Sequence, residues 1–289
     1  MKKTVGEAIV PAELRLLNPQ LGWHQAQTYS TNTGIVLRGR EALIVDPGIS
    51  QGDFERLAAF LADYDLQAGL VTHAHWDHFL WDARLGSEVP RYATRATLAG
   101  MQANRERQEA QMRELEELNF EGREYWQREL LYRELPLDEG RQQLAGFELE
   151  VLRLDGHCEG SAAFLFPEAK AVFVGDHLSD LELPSLDDAP RALEAYLKTL
   201  DALEELTGRA ECIIPGHGSP CGPSEARRRL DADRRYLQAL HTLEPAELNG
   251  DLTELATRFL RNHPDARAGD AWSQELHREN LKVLAQKQP

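Results

Sequence analysis

Short apolar runs alternate with longer amphipathic segments along most of the chain. Residues 34–38 and 42–45 predict two paired strands around the turn at Gly39 and Arg40, and residues 53–63 predict a helix with apolar side chains on one face. The other predicted elements are strands at 69–71, 147–154, 162–166, 171–174 and 212–214 and a helix at 191–206. Strands that alternate with helices are typical of an α/β fold.

Residues 95–135 form a helical segment that interrupts this alternation. They are rich in Glu, Gln and Arg, with apolar positions at helical spacing and a break near 119–122, which predicts one or two helices. We interpret the segment as an insertion that forms one wall of a substrate pocket, with Trp126 facing that pocket. The alternatives are a contact between subunits, as in a homodimer, and plain packing within the protein.

Residues 224–289 form a second helical segment. Helices are predicted to start near Ser224, Asp251 and Ser273, because each of these residues is a suitable N-cap. We therefore expect a catalytic domain at residues 1–223 and a C-terminal helical extension that packs against the core or covers the active site.

Composition narrows the class of partner. The 32 basic and 48 acidic residues give a net charge of −16, which argues against nucleic acid and favours a small-molecule substrate. Cys158, Cys212 and Cys221 lack metal-finger spacing and indicate free thiols in a reducing compartment. No segment has secretory or membrane-spanning character, so the expected location is the cytoplasm, away from membranes.

The heptapeptide Thr72–His78 is the strongest chemical signal. It places His73, His75, Asp77 and His78 directly after a short apolar strand. Imidazole nitrogen and carboxylate oxygen suit zinc, manganese or iron, and a chain that turns out of a strand can direct such side chains at one or two ions. The run therefore predicts a metal site.

Three isolated residues share one local setting with this run. His157, Asp176 and His217 each follow a predicted strand, and each has a neighbouring glycine that lets the backbone turn. Each alone is more typical of a turn or a core residue. Together they are candidates for the remaining ligands, because catalytic metal sites gather side chains from loops at strand ends.

The motifs resemble those of the metallo-β-lactamase superfamily. They are His-x-His-x-Asp-His, Gly-His-x-x-Gly-Ser, Gly-Asp and Pro-Gly-His-Gly, in that order, within residues 30–220. The resemblance implies an αββα sandwich, in which two sheets pack together with helices outside. The predicted fold is this sandwich with the helical insertion and the helical extension described above.

The resemblance also implies a division of the ligands between two divalent ions, with zinc the first choice and manganese or iron the alternatives. The first ion would be held by His73, His75 and His157, the second by Asp77, His78 and His217, and Asp176 would bridge the two. Asp46 matches an early strand-end aspartate of the family, which supports the site without binding metal. A simple turn aspartate is the equal alternative.

The implied chemistry is hydrolysis of a small ester, thioester or lactone by a metal-bound hydroxide. Asp77 and His177 are the candidates for a direct catalytic part, the latter as a hydrogen-bond donor to substrate, with a turn cap as its alternative. Trp76 and Trp81 could form an aromatic wall for an apolar acyl chain, although large aromatic residues more often fill the core. A phosphodiesterase or ribonuclease and an iron-dependent oxidoreductase of the sulfur-dioxygenase kind remain as alternatives.

Overall fold

The computed structural model describes residues 14–119, 128–263, 266–269 and 271–286. Its first sheet has seven strands in chain order, antiparallel from β1 to β4 and parallel from β4 to β7. They are β1 (Leu14–Asn18), β2 (Leu21–Gln25), β3 (Asn32–Arg38), β4 (Glu41–Val45), β5 (Asp65–Leu70), β6 (Arg91–Thr94) and β7 (Leu135–Leu137).

The second sheet has five strands in the spatial order β12-β11-β10-β9-β8. These are β8 (Gly140–Leu144), β9 (Phe147–Arg153), β10 (Ala162–Phe166), β11 (Ala171–Phe173) and β12 (Cys212–Ile214). Only the pair β11 and β12 is parallel within this sheet. Both members of that pair therefore deliver their carboxyl ends to one edge, the arrangement that a shared site requires.

The two sheets pack face to face. Leu43 and Val45 of the first sheet share one buried cluster with Phe164 and Phe173 of the second. Gly34 lies where the sheets come closest, since a Cβ atom there would stand 1.8 Å from a ring carbon of Phe173. A larger residue at position 34 would force the sheets apart.

The helices cover the outer faces of this sandwich. They are α1 (Gln51–Leu61), α2 (Trp76–Phe79), α3 (Arg95–Ala103), α4 (Arg105–Asn119), α5 (Ala192–Thr207), α6 (Pro223–His241), α7 (Pro245–Leu248), α8 (Leu252–Asn262) and α9 (Ala271–Gln286). Three short 3₁₀ turns lie at Ala83–Leu85, Arg128–Leu130 and Ala266–Gly269. The predicted αββα sandwich is confirmed.

The C-terminal extension packs on the second sheet. Leu230 and Tyr236 of α6 and Leu281 of α9 belong to the same buried cluster as Leu200 of α5. Burial of about four such side chains contributes several kcal/mol, which is enough to hold the extension against the catalytic core. Among the described helices none is both long and apolar enough to span a membrane.

Most predicted elements lie within two residues of the observed ones. The strand at 162–166 and the one at 212–214 have the observed bounds, and Asp251 caps α8 by accepting from the amides of Thr253 and Glu254. Ser224 and Ser273, in contrast, lie inside α6 and α9 and are not their N-caps, and Gly222 is the N-cap of α6. The predicted pocket residue Trp126 lies outside the described residues, so its place stays a prediction.

Candidate metal centre

Loops at the carboxyl ends of four strands carry all seven predicted ligands. His73 and His75 follow β5, Asp77 and His78 lie on the single turn of α2 that comes next, and His157, Asp176 and His217 follow β9, β11 and β12. These strand ends lie together, because candidate ligand atoms from the loops after β5, β9 and β11 come within 4.8 Å of one another, as do those after β5 and β12. This arrangement explains why each candidate ligand follows a strand in the sequence.

The seven side chains form two adjoining groups. Ligand atoms of His73, His75, His157 and Asp176 lie within 4.8 Å of one another, and so do those of Asp77, His78 and His217.

Asp176 stands between the groups. Its Oδ2 lies 3.4 Å from His73 Nε2, 3.2 Å from His157 Nε2 and 3.3 Å from His217 Nε2, while its Oδ1 lies 3.2 Å from His78 Nε2. One carboxylate therefore reaches both groups, which is the geometry that a bridging ligand needs.

The Asp46 carboxylate positions two residues of the centre through hydrogen bonds. Its carboxylate accepts hydrogen bonds from the amide and the hydroxyl of Thr72, at 2.8 and 2.6 Å, and from His78 Nδ1 at 3.0 Å. Its backbone has φ of 48°, a conformation that costs about 1 kcal/mol or more in a residue other than glycine. A simple turn aspartate would not need these buried contacts, so the supporting role is the better interpretation.

Three of the other histidines are oriented in the same way. His217 Nδ1 donates to the carbonyl of Tyr29 at 3.0 Å, and His157 Nδ1 donates to the carbonyl of Ser185 at 3.3 Å. His73 Nδ1 donates to the hydroxyl of Thr72 at 3.0 Å. With the proton on Nδ1, the lone pair of each Nε2 points into the centre, as a metal ligand requires.

This arrangement fits divalent cations. The buried atoms His73 Nε2 and Asp176 Oδ1 have no hydrogen-bond partner among the described residues. His78 Nε2 and His217 Nε2 face each other at 3.4 Å, and two lone pairs at that distance repel unless a cation or a proton lies between them. Convergent lone pairs with unpaired carboxylate oxygen are a donor set for nitrogen-and-oxygen-binding metals.

The electrostatics agree with this interpretation. Burial alone would lower the pKa of His217, but the carboxylates of Asp176, Glu182 and Asp77 raise it to about 10. Burial would likewise raise the pKa of Asp77, yet His78 and His217 hold it well below its usual range. The centre concentrates negative charge that attracts positive charge, whether protons or metal ions.

His177 is buried beside the candidate ligand His157, with ring centroids 6.0 Å apart. Its Nδ1 donates to the carbonyl of Val174 at 2.8 Å, and the ring packs against Tyr196 with ring centroids 5.0 Å apart. Burial lowers its pKa to about 3, and Nε2 has no hydrogen-bond partner among the described residues. The role of this ring as a hydrogen-bond donor to substrate stays a prediction.

Cys158 and Ser161 are structural at this site. Burial raises the pKa of the Cys158 thiol to about 12, so the thiolate nucleophile is absent near neutral pH. The Ser161 hydroxyl is buried and donates to the Cys158 carbonyl at 2.8 Å. Neither side chain is placed to attack a substrate.

Glu182 is the residue at this centre that sequence reasoning missed. Its carboxylate lies within 4.8 Å of ligand atoms of Asp176 and His217. It comes from a loop without regular secondary structure, and its partner Trp272 lies on α9, 90 positions away. No local motif marks such a pair.

A family model described as the metallo-beta-lactamase superfamily matches residues 27–217. The chain belongs to this superfamily. The matched range includes all seven predicted ligands, and the recognition made from the four motifs is confirmed.

Relatives of known name match most of the chain. An atrochrysone carboxyl ACP thioesterase from Aspergillus chevalieri is 26% identical over 247 residues, which are 81% of this chain and 67% of that protein. A hydroxyacylglutathione hydrolase from Synechococcus sp. (strain JA-3-3Ab) is 31% identical over 201 residues, 68% of this chain and 67% of that protein. The chain thus spans about two thirds of the length of these relatives.

A solved structure shows the same fold. The crystal structure of a metallo-beta-lactamase family protein from Thermus thermophilus superposes with a TM-score of 0.64 at 24% identity, covering 92% of this chain and 94% of that one. The protein is a hydrolase of this superfamily with a histidine and aspartate cluster suited to metal. The assignment of single residues as ligands and the identity of the metal stay predictions.

Proposed function

We propose that the protein is a dinuclear metal-dependent hydrolase that cleaves the thioester, or the carboxylic ester or lactone, of a small acyl group. The observation that carries the proposal is the pair of adjoining ligand groups joined through Asp176. Both curated relatives are named for the hydrolysis of an acyl compound, which favours the thioester among these substrates.

Divalent ions bound here would supply water of lowered pKa and a Lewis acid for the carbonyl oxygen of the substrate. His73, His75 and His157 would hold one ion, Asp77, His78 and His217 the other, and Asp176 both.

The chain itself provides orientation and a fixed charge. Asp46 keeps the proton of His78 on Nδ1 and leaves Nε2 free for the centre. Asp77 stays ionised at neutral pH because His78 and His217 outweigh the effect of its burial, so it serves as a carboxylate rather than as a proton donor. Preorganised groups of this kind need no rearrangement during the reaction.

The test is a substrate panel on metal-replete protein. The panel contains the phenylacetyl thioester of N-acetylcysteamine, p-nitrophenyl acetate, a homoserine lactone and bis(p-nitrophenyl) phosphate. We expect the thioester to have the highest kcat/KM, and we expect Asp176→Ala protein, purified in parallel, to lose the activity.

Two outcomes would contradict the proposal. Preferred turnover of the phosphodiester would assign the protein to the phosphodiesterases of this fold. Bound iron together with thiol-dependent oxygen uptake, without hydrolysis, would assign it to the oxidoreductases.

A further inference from the structure

Glu182 adds a carboxylate to the centre beyond the seven predicted ligands. It lies on the side of the second group, near His217, and contributes to the raised pKa of that histidine. The side chain is only partly buried. One oxygen, Oε2, accepts a hydrogen bond from Trp272 Nε1 at 2.8 Å, and Oε1 makes no hydrogen bond within the described ranges. An acceptor oxygen therefore lies beside the second ligand group.

The C-terminal extension fixes the loop that carries this carboxylate. Arg267 Nη1 donates to the carbonyls of Ser179 and Glu182 at 3.1 and 2.9 Å. Asn280 on α9 accepts from the Leu186 amide at 2.7 Å and donates to the Pro184 carbonyl at 2.7 Å. Both ends of the loop are thus held by the extension, which makes the position of Glu182 well defined.

An aromatic surface continues from Glu182 along the same side. Trp272 is 43% exposed and stacks on Tyr29, with ring centroids 6.0 Å apart and an interplanar angle of 27°. Tyr29 in turn packs edge-on against Trp76, with ring centroids 6.2 Å apart. Leu181, next to Glu182, is 45% exposed. Exposed apolar side chains beside a charged acceptor are typical of a small-molecule site.

Tyr29 ties this surface to the metal centre. Its carbonyl accepts the hydrogen bond that orients His217, and its backbone has φ of 56°, which is unusual for a bulky residue. Trp76 lies between His75 and Asp77 in the chain. A substrate that contacts Trp272 and Tyr29 would therefore have its reactive group close to the ligand set.

We propose that Glu182, positioned by Trp272, is a specificity-determining residue. It accepts a hydrogen bond from a hydroxyl or ammonium group of the substrate, while Trp272 and Tyr29 contact the apolar or aromatic part of the same molecule. The favoured substrates of the proposed acyl hydrolase, on which this inference rests, carry such a donor and no anion near the scissile carbonyl.

The physical basis is the sign of the charge. A carboxylate in a partly buried site attracts an ammonium group and repels a substrate carboxylate at the same distance, and burial strengthens both effects. Burial also raises the pKa of Glu182, while His217 and the hydrogen bond from Trp272 oppose that rise and favour the ionised form. Glutamine at position 182 keeps the size and an acceptor oxygen but removes the charge. It should therefore shift the affinities of cationic and anionic ligands in opposite directions.

The experiment measures the binding of two non-reactive probes to metal-replete protein by calorimetry near neutral pH. Phenethylamine is the cationic probe and phenylacetate the anionic one. We expect Glu182→Gln to weaken the binding of phenethylamine by about tenfold and to strengthen the binding of phenylacetate by a similar factor. These changes are the size expected for one charge-assisted contact. Trp272→Phe, which keeps a ring but loses the N–H donor, should reduce the discrimination in part.

Glu279→Gln is the matched control, because it removes the same charge from an exposed position on α9. It should leave both affinities unchanged. Weaker binding of both probes to Glu182→Gln protein would indicate general damage to the site and overturn the proposal. An unchanged affinity for both probes would also overturn it. Loss of a metal ion from this variant in elemental analysis would make Glu182 a ligand instead.

The two proposals fail separately. Absence of thioester hydrolysis by wild-type protein would refute the proposed function, while the binding comparison still tests Glu182. Hydrolysis with unchanged probe selectivity in Glu182→Gln would refute only the role of Glu182.

Discussion

Hydrogen bonds from residues outside the ligand set aim the histidines of the metal centre. Asp46 is the clearest case, because one buried carboxylate fixes both the Thr72 turn and the His78 ring. The surroundings of His177, in contrast, could not be predicted from the sequence. Its position after Asp176 suggested contact with a substrate, and the structure adds that the ring is fully buried and donates from Nδ1 to the carbonyl of Val174. Burial of this kind depends on tertiary packing, here against Tyr196, and the local sequence does not show it.

At the residue scale we expect a graded response to three substitutions. Asp176→Ala should lower kcat by about three orders of magnitude or more, because its carboxylate contacts both ligand groups. Asp46→Asn should weaken metal binding by about 10- to 100-fold, because its NH2 group replaces one of the two acceptor oxygens and then faces a donor, either the Thr72 amide or the Thr72 hydroxyl and His78. Cys158→Ala should have little effect on turnover.

Kinetics at graded metal concentrations measures this order. Excess metal should restore the activity of Asp46→Asn protein but not that of Asp176→Ala protein. If Cys158→Ala were the most damaging variant while the protein stayed folded, thiol chemistry would have to replace metal-assisted hydrolysis.

A second prediction at this scale concerns His277, which is buried with Nδ1 2.9 Å from the Tyr236 hydroxyl. Burial lowers its pKa from 6.5 to about 4. Between these values the unfolded chain binds a proton that the folded protein does not, so stability falls as the pH drops from 6.5 towards 4. The loss reaches at most about 3 kcal/mol.

Thermal unfolding followed by circular dichroism across this pH range tests the effect. His277→Gln should show a flatter dependence of Tm on pH than wild type. His241→Gln, at an exposed position at the end of α6, is the control and should keep the wild-type slope.

At the scale of elements, periodicity located the strands that deliver ligands because those strands are buried and apolar. It missed β1, β2, β6, β7 and β8. The sequences of β1 and β8, LRLLN and GRQQL, lack a regular apolar pattern. Both are edge strands, so one side of each has no neighbouring strand and their side chains are largely exposed or half-buried. The link between α9 and the loop at 179–186 could not be inferred either, because it depends on packing between segments about 90 residues apart.

Asn280 provides the prediction at this scale. Asn280→Ala would leave the Leu186 amide and the Pro184 carbonyl buried without partners, at a cost of about 2–4 kcal/mol. The melting temperature should fall by roughly 5–15 °C. Asn262→Ala, on the exposed end of α8, should change it little. Equal effects of the two substitutions would show that the contacts of Asn280 do not stabilise the extension.

At the scale of the whole molecule, the ligand groups couple metal binding to folding. Four strand-end loops that are distant in sequence meet only in the folded chain, so metal binds the native state far more tightly than the unfolded one. Metal at about 1,000 times its Kd should add about 4 kcal/mol of stability. We therefore expect chelation to lower Tm by roughly 10 °C, and re-addition of zinc to restore it.

Elemental analysis completes this prediction, with about two ions per protomer expected from two adjoining ligand groups. A single ion at saturation would contradict the dinuclear arrangement. Loss of the second ion alone in His217→Ala would support the assignment of that histidine to the Asp77 group.

The attachment of the 179–186 loop to α9 has a consequence for how this protein could diversify. The ligands all lie within residues 27–217, whereas the residues that hold Glu182 lie at 267–280. If Glu182 and Tyr29 select the substrate as proposed, that selection depends partly on residues outside the stretch that carries the candidate ligands. Substitutions in the distal stretch are therefore expected to change substrate preference while the candidate metal ligands stay unaltered.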